Sequence, residues 1–303
     1  ACTSSLTGNE GNFQFSYPAD DRITDFNKPI AVGAMLDLEV RDVGQRQPVR
    51  LSDASTDDPA VLEVMGFGDA DLTVQATGEG AALLMVEGTT VNGEALTDSI
   101  NLLARIPEVH RLNHTCAESD QAVYLNSQRI WIPFEFEMSN GQPVIGYGYY
   151  PVSAQGDAQV TLNNSDSGQQ FMAFDLGEAT GAASLTSDID GSVLAFDVVA
   201  PEDIDDISEP IAFVLEDIDV GDKNDFYVLP KAGEDTVCQA ELAKTVVSDT
   251  PEICTVSERE PLDPDAYEYG WFSIEGLAEG ECRFTVAYPD AGVSKQFAYP
   301  IEP

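Results

Sequence analysis

Basic residues are scarce. Lys and Arg number 14 against 54 Asp and Glu, a net charge of −40 over 303 residues. A field of that sign repels nucleic acid and anionic lipid headgroups, so neither is expected as a direct partner. Histidine is scarcer still, with two in the chain, which leaves little material for imidazole chemistry. Long apolar runs are missing: stretches such as 81–86 fall far short of the ~18 residues a spanning helix needs. None of the five cysteines forms a CxxC pair, which argues against zinc ribbons and thioredoxin-like redox motifs. No GxSxG elbow, P-loop or dinucleotide-binding glycine pattern occurs. The expectation is a non-enzyme without a cofactor.

What is present is a foldable chain. Hydrophobic residues make up 43% of it, too many for a disordered acidic tail, and the length leaves room for two or three domains. The hydrophobic period is two almost throughout. In 31–43, Val32, Ala34, Leu36, Leu38 and Val40 alternate with Asp37, Glu39 and Arg41, the pattern of a strand with one wet face. Ile130, Ile132, Phe134, Phe136 and Met138 alternate with Glu135 and Glu137. Asn140-Gly141 then predicts a hairpin turn into a strand over 144–150. Only 239–247 reads as a short helix. The fold class is all-β.

Three units repeat. The first holds Pro59, Val61 and Val64, then Gly78-Glu79-Gly80-Ala81-Ala82 leading into Leu84 and Val86. The third holds Pro251, Ile253 and Val256, then Gly276, Gly280, Cys282, Phe284 and Val286. The middle unit keeps an echo in Gly177-Glu178 and Gly181-Ala182-Ala183. Glycine there supplies the positive φ of a tight turn. These units resemble bacterial Ig-like domains of the BIG2 kind, whose cadence P-x-[VI]-x-x-V … G-x-x-x-G-x-[CA]-x-[IVF]-x-V survives in units one and three. The resemblance implies tandem immunoglobulin-like β-sandwiches and a Cys254–Cys282 disulfide, with Leu62 and Ala82 near those places in unit one. Elimination then leaves Cys116 with Cys238, although four cysteines allow three pairings. Composition sets the expected boundaries: a tether and first strand over 1–26, then units over 27–107, 108–206 and 207–303.

Ala1-Cys2 followed by a polar run from Thr3 to Gly11 resembles a bacterial lipoprotein cut close to its lipobox. The resemblance implies Cys2 as the lipid-attachment residue. Thr3 in place of an Asp retention signal favours the outer membrane. The membrane is then met only through that anchor. An even remainder of four cysteines suits an oxidising compartment, so the expected location is the cell envelope or surface, or otherwise secretion.

Three constellations are candidates for chemistry. His110 and His114 stand four apart, but the segment lacks helical periodicity and Arg111 replaces the Glu of a zinc protease, so it reads as a solvated linker. Asp217, Asp219, Asp222 and Asp225 offer oxygen ligands of the kind Ca²⁺ accepts, but without EF-hand spacing they read first as a solvated turn, with a Ca²⁺ site as the alternative. Trp131 and Tyr150 could form an aromatic face for a sugar or protein, or pack against a neighbouring domain. The expected role is a surface or periplasmic lipoprotein acting as adhesion, scaffold or spacer module, its protein or glycan partner unidentified. The alternatives are a subunit of an extracellular filament or surface assembly, which would self-associate, and a carbohydrate-binding module using the aromatic face.

Overall fold

The structure is a computed structural model that describes residues 5–16, 28–116, 122–212, 218–259 and 271–303. Cys2 and Asp217 lie outside the described residues. Among these residues the sole helical element is a 3-10 turn at Pro201–Asp203. Everything else is strand or connection, arranged as three β-sandwiches in series.

Unit one opens with the hairpin β1 (Ser5–Thr7) and β2 (Phe13–Ser16), followed by β3 (Ile30–Ala31) and β4 (Met35–Asp42). Then come β5 (Arg50–Thr56), β6 (Leu62–Phe67), β7 (Asp71–Ala76), β8 (Gly80–Thr89) and β9 (Ala95–Arg105). One sheet runs β1-β2-β4-β7-β6 and the other β3-β9-β8-β5, with β3 parallel to β9. In immunoglobulin lettering β2-β4-β7-β6 is A-B-E-D, with β1 added at its edge, and β3-β9-β8-β5 is A′-G-F-C, which is the Ig-like arrangement. The β1–β2 turn is pinned to β9 by the buried Asp98, whose carboxylate accepts the N–H groups of Glu10, Asn12 and Phe13 at 2.7–2.9 Å.

Unit two repeats the order. Its strands are β10 (Val109–Leu112), β11 (Ala122–Leu125), β12 (Arg129–Glu137), β13 (Pro143–Val144) and β14 (Val152–Gly156). They continue with β15 (Val160–Asn163), β16 (Phe171–Leu176), β17 (Gly181–Ser187) and β18 (Val193–Val199). Again A-B-E-D is β10-β12-β16-β15, and A′-G-F-C is β11-β18-β17-β14 with β11 parallel to β18. A short strand, β19 (Asp206–Ile207), follows.

Unit three contains β20 (Ile211–Ala212), β21 (Ile218–Asp219), β22 (Lys223–Tyr227), β23 (Pro230–Ala232) and β24 (Asp235–Cys238). Its remaining strands are β25 (Thr245–Ser248), β26 (Cys254–Glu258), β27 (Phe272–Gly276), β28 (Gly280–Tyr288) and β29 (Val293–Glu302). Its sheets are β20-β22-β27-β26 and β21-β29-β28-β25, with β21 parallel to β29. The same lettering therefore describes all three units.

The repeated glycine explains itself here. Gly80, Gly181 and Gly280 each begin strand F with φ of +155°, +123° and +149°. A Cβ there would meet Val61 at 2.9 Å, Asp157 at 3.1 Å and Ile253 at 3.0 Å. Behind it, Cys254 and Cys282 are joined across the sandwich of unit three with Cα atoms 5.5 Å apart. In unit one the corresponding Leu62 and Ala82 are buried and fill that place with apolar volume.

Three sequence expectations differ from the structure. No helix forms over 239–247; β25 occupies its second half, because the β-branched run Thr245-Val246-Val247 suits a strand on the sheet edge. The strand expected over 144–150 stops at Val144, because Gly146 and Gly148 adopt φ of +127° and +80° and turn the chain out of the sheet. The boundary at 206/207 is crossed: β23 and β24, which lie between strands B and C of unit three, belong to a sheet of unit two.

Candidate functional site

The units are joined at two junctions by hydrogen bonds, strand pairing and a disulfide. In units two and three the connection between strands B and C leaves its own sandwich and bonds to the preceding unit. In unit one the same connection is a tight turn, exposed over 43–48 and ending on the buried Val49.

At the first junction, residues 145–150 lie along the start of unit one. Ile145 donates to the carbonyl of Pro29 at 2.9 Å and accepts from Ala31 at 2.8 Å. Met35 and Tyr147 exchange both backbone hydrogen bonds, at 2.7 and 2.9 Å. The approach needs glycine: a Cβ on Gly146 would stand 2.7 Å from the Cβ of Ala34 and 3.0 Å from the carbonyl oxygen of Met35. Tyr149 lies across Gly33 on the same seam. The Tyr147 hydroxyl donates to Asp37 at 2.8 Å, and burial, helped by that carboxylate, pushes its pKa up to about 12. A single apolar core runs through units one and two.

At the second junction, β24 pairs in parallel with β11, covering the free edge of unit two. Strand β23 extends that sheet and β19 closes it. Covering an edge removes a row of unpaired backbone groups that would otherwise template aggregation. The contact is covalent as well: Cys116 is bonded to Cys238, with Cα atoms 5.6 Å apart. The next residue, Gln239, has φ +52° and is buried. Its Oε1 accepts the N–H of Trp131, and its Nε2 donates to the carbonyl of Trp131 and the hydroxyl of Thr115. Val123, Leu125, Ile204 and Val237 form a small core between the units.

The histidines are not in a solvated linker. His110 sits on β10, 1% exposed, opposite Phe136, with its ring 4.7 Å from that of Phe136. Its Nδ1 meets the Ser187 hydroxyl at 3.2 Å, while its Nε2 is buried without a partner among the described residues. Burial pushes its pKa down to about 4, against the pull of Asp190 and Asp188. Burial opposes ionisation of Asp190, but hydrogen bonds from the N–H groups of His110 and Ser192 outweigh it and hold its carboxyl well below the usual range. His114 bonds to the Tyr124 hydroxyl and the Ala195 carbonyl, and burial lowers its pKa too. Both rings are structural.

The acidic cluster is scattered. Asp225 is paired with Arg259 at 2.8 Å and hydrogen-bonded by Ser273, so its charge is already balanced by a cation. Asp219 and Asp222 are exposed and shape a turn through their backbones. Among the described residues no group of three His, Cys, Asp or Glu could hold a metal ion.

Trp131 and Tyr150 are not brought onto one face. Trp131 alternates away from Ile130 and Ile132 and meets Gln239 through its backbone. The ring of Tyr150 packs edge-on against core-facing Phe134 at 5.9 Å, and its hydroxyl donates to Gly168. Next to the Phe134 that Tyr150 packs against, between the start of β16 and β13, the edge of β12 opens into a cleft of about 580 Å³. Phe134 and Phe136 are among the residues that line it, with Gln169, Gln170 and the exposed Phe171.

The sequence signal for the junctions lay in Gly146-Tyr147-Gly148-Tyr149-Tyr150, whose alternate glycines fit a departing chain better than a strand. Gln239 carries no local signal.

No family model matches the chain, and none of the curated proteins does. Among solved structures, domains 4–9 of the surface layer protein SbsC align at 17% identity over 98% of this chain and 46% of theirs, TM-score 0.29. The Escherichia coli adhesin FdeC aligns at 14% identity over 91% of this chain and 94% of its own, TM-score 0.26. A Bacteroides ovatus glucan-utilisation protein, SGBP-B, aligns at 10% identity over 94% and 68%, TM-score 0.24. At such scores the likenesses decide neither fold nor function, which rest on the chain's own residues.

Proposed function

We propose that this chain is a non-enzymatic spacer of the bacterial cell envelope: three Ig-like sandwiches locked in series, anchored by an acyl group on Cys2. The observation that carries the reading is the pair of junctions. Each later unit contributes a backbone segment to the unit before it, so the units extend as one stiff body. Linkers of free polar residues would instead let neighbouring units swing. Two disulfides suit an oxidising compartment. The charge of −40 keeps such a rod soluble and turns away anionic partners. Small-angle scattering of the purified chain tests stiffness: a single elongated conformation is expected, and a broad ensemble of bent shapes would overturn the reading. Intact mass of protein from its native host tests the anchor, where an unmodified Cys2 would remove it.

A second reading, capture of a neutral glycan, is favoured by the cleft beside β12. Phe171, 40% exposed, offers a stacking surface next to the amides of Gln169 and Gln170. Loss of glycan-array binding in Phe171→Ala would support it, and an array with no hits would end it.

A further inference from the structure

We infer that the Cys116–Cys238 disulfide is a tension bypass, carrying load past unit two instead of through it. The inference concerns the covalent path and goes beyond the spacer reading; only its use in holding a load rests on that reading.

The separation of 122 between these cysteines places residues 117–237 inside a closed covalent loop. That loop contains strands A′ to G of unit two and the first part of unit three. Of unit two, only β10 remains on the path between the chain ends. A pull on those ends follows the backbone to Cys116, crosses to Cys238, and re-enters the backbone at Gln239. It leaves the looped residues without tension, however far they would otherwise extend.

The surrounding structure keeps the crossing closed. On one side β24 is paired to β11, and on the other Gln239 holds Trp131 and Thr115. The sulfurs are therefore held together by the fold on both flanks. The second disulfide does the same on a smaller scale, since its separation of 28 removes 255–281 from the path. The two loops hold nearly half of the 303 residues.

Single-molecule stretching of the full chain, held by thiol-free handles at both ends and with any free thiol alkylated, reads this directly. At ~3.5 Å per extended residue, the oxidised chain should stop near 540 Å. Dithiothreitol, itself oxidised to a cyclic disulfide as it returns each pair to two thiols, should then release steps of about 420 Å and about 90 Å. The Cys116→Ser/Cys238→Ser variant should lack the long step and start about 420 Å longer. Should that variant fail to fold, the wild-type steps alone decide. Extension of the oxidised chain to about 1,060 Å without reductant, or release steps of other sizes, would overturn the inference.

Discussion

Gln239 does for Trp131 what a neighbouring strand would do. Its side-chain amide takes the N–H of Trp131 at 2.8 Å and gives to its carbonyl at 2.7 Å, on the edge of β12 just past the end of β10. The donor and acceptor come from a residue 108 positions later in the chain, so unit three completes the hydrogen bonding of unit two.

Replacing that amide should show its worth. Gln239→Ala leaves two backbone groups of Trp131 without their protein partner, at an expected cost of about 1–3 kcal/mol. Urea unfolding checks the size, and amide exchange at Trp131 should accelerate selectively. An unchanged midpoint together with unchanged exchange would contradict the clamp.

The first junction turns on Gly146. Gly146→Ala forces a methyl against Ala34 in a backbone conformation that alanine rarely adopts, with an expected loss of about 2–4 kcal/mol. Gly141 also has positive φ, +81°, but nothing within 4 Å, so Gly141→Ala should cost only about 1–2 kcal/mol. Faster exchange at Ala31 and Met35 in the first variant and not the second would place the damage at the seam. Equal exchange in both would count against it.

Acid should weaken the fold through His110. Its ring is neutral in the folded chain down to about pH 4, whereas an unfolded histidine protonates near 6.5. Between those values the unfolded chain binds a proton that the folded one refuses, so stability falls as pH drops. The contribution reaches up to about 3 kcal/mol at the acid end of the window. The difference in unfolding free energy between wild type and His110→Phe should therefore change with pH from 7 to 4. Parallel curves would contradict the assignment.

Removing Cys254 and Cys282 as alanines should destabilise unit three by about 2–4 kcal/mol in denaturant titrations. Cys254→Leu with Cys282→Ala should recover part of that loss, because Leu62 and Ala82 fill the same place in unit one. No difference between the two double variants would mean that unit three cannot use apolar volume there.

The sequence makes the units legible because their cores are local in pattern. Alternation along β4, β12 and β28 marks the buried faces, and Gly80, Gly181 and Gly280 mark the start of the same strand three times. The joints are harder to read. Ile145 and Tyr147 satisfy their backbones on Pro29 to Met35, β24 pairs with Val123 and Tyr124, and the Gln239 side chain serves Trp131. Period-two reasoning assigns a segment to its own sheet and cannot select an edge belonging to another unit. The histidines escape the pattern for a related reason: His110 occupies a core position on a four-residue strand too short to display a period.

The direction of the reach-back sets an order of events as the chain emerges into the compartment where it folds. A chain that emerges N-terminus first delivers strand G of unit two, β18, some 30 residues before β23 and β24 arrive. Until then β11 is an open edge and Cys116 a thiol awaiting Cys238. Unit two thus matures under the hand of its successor, and oxidation of Cys116 records that the successor has arrived.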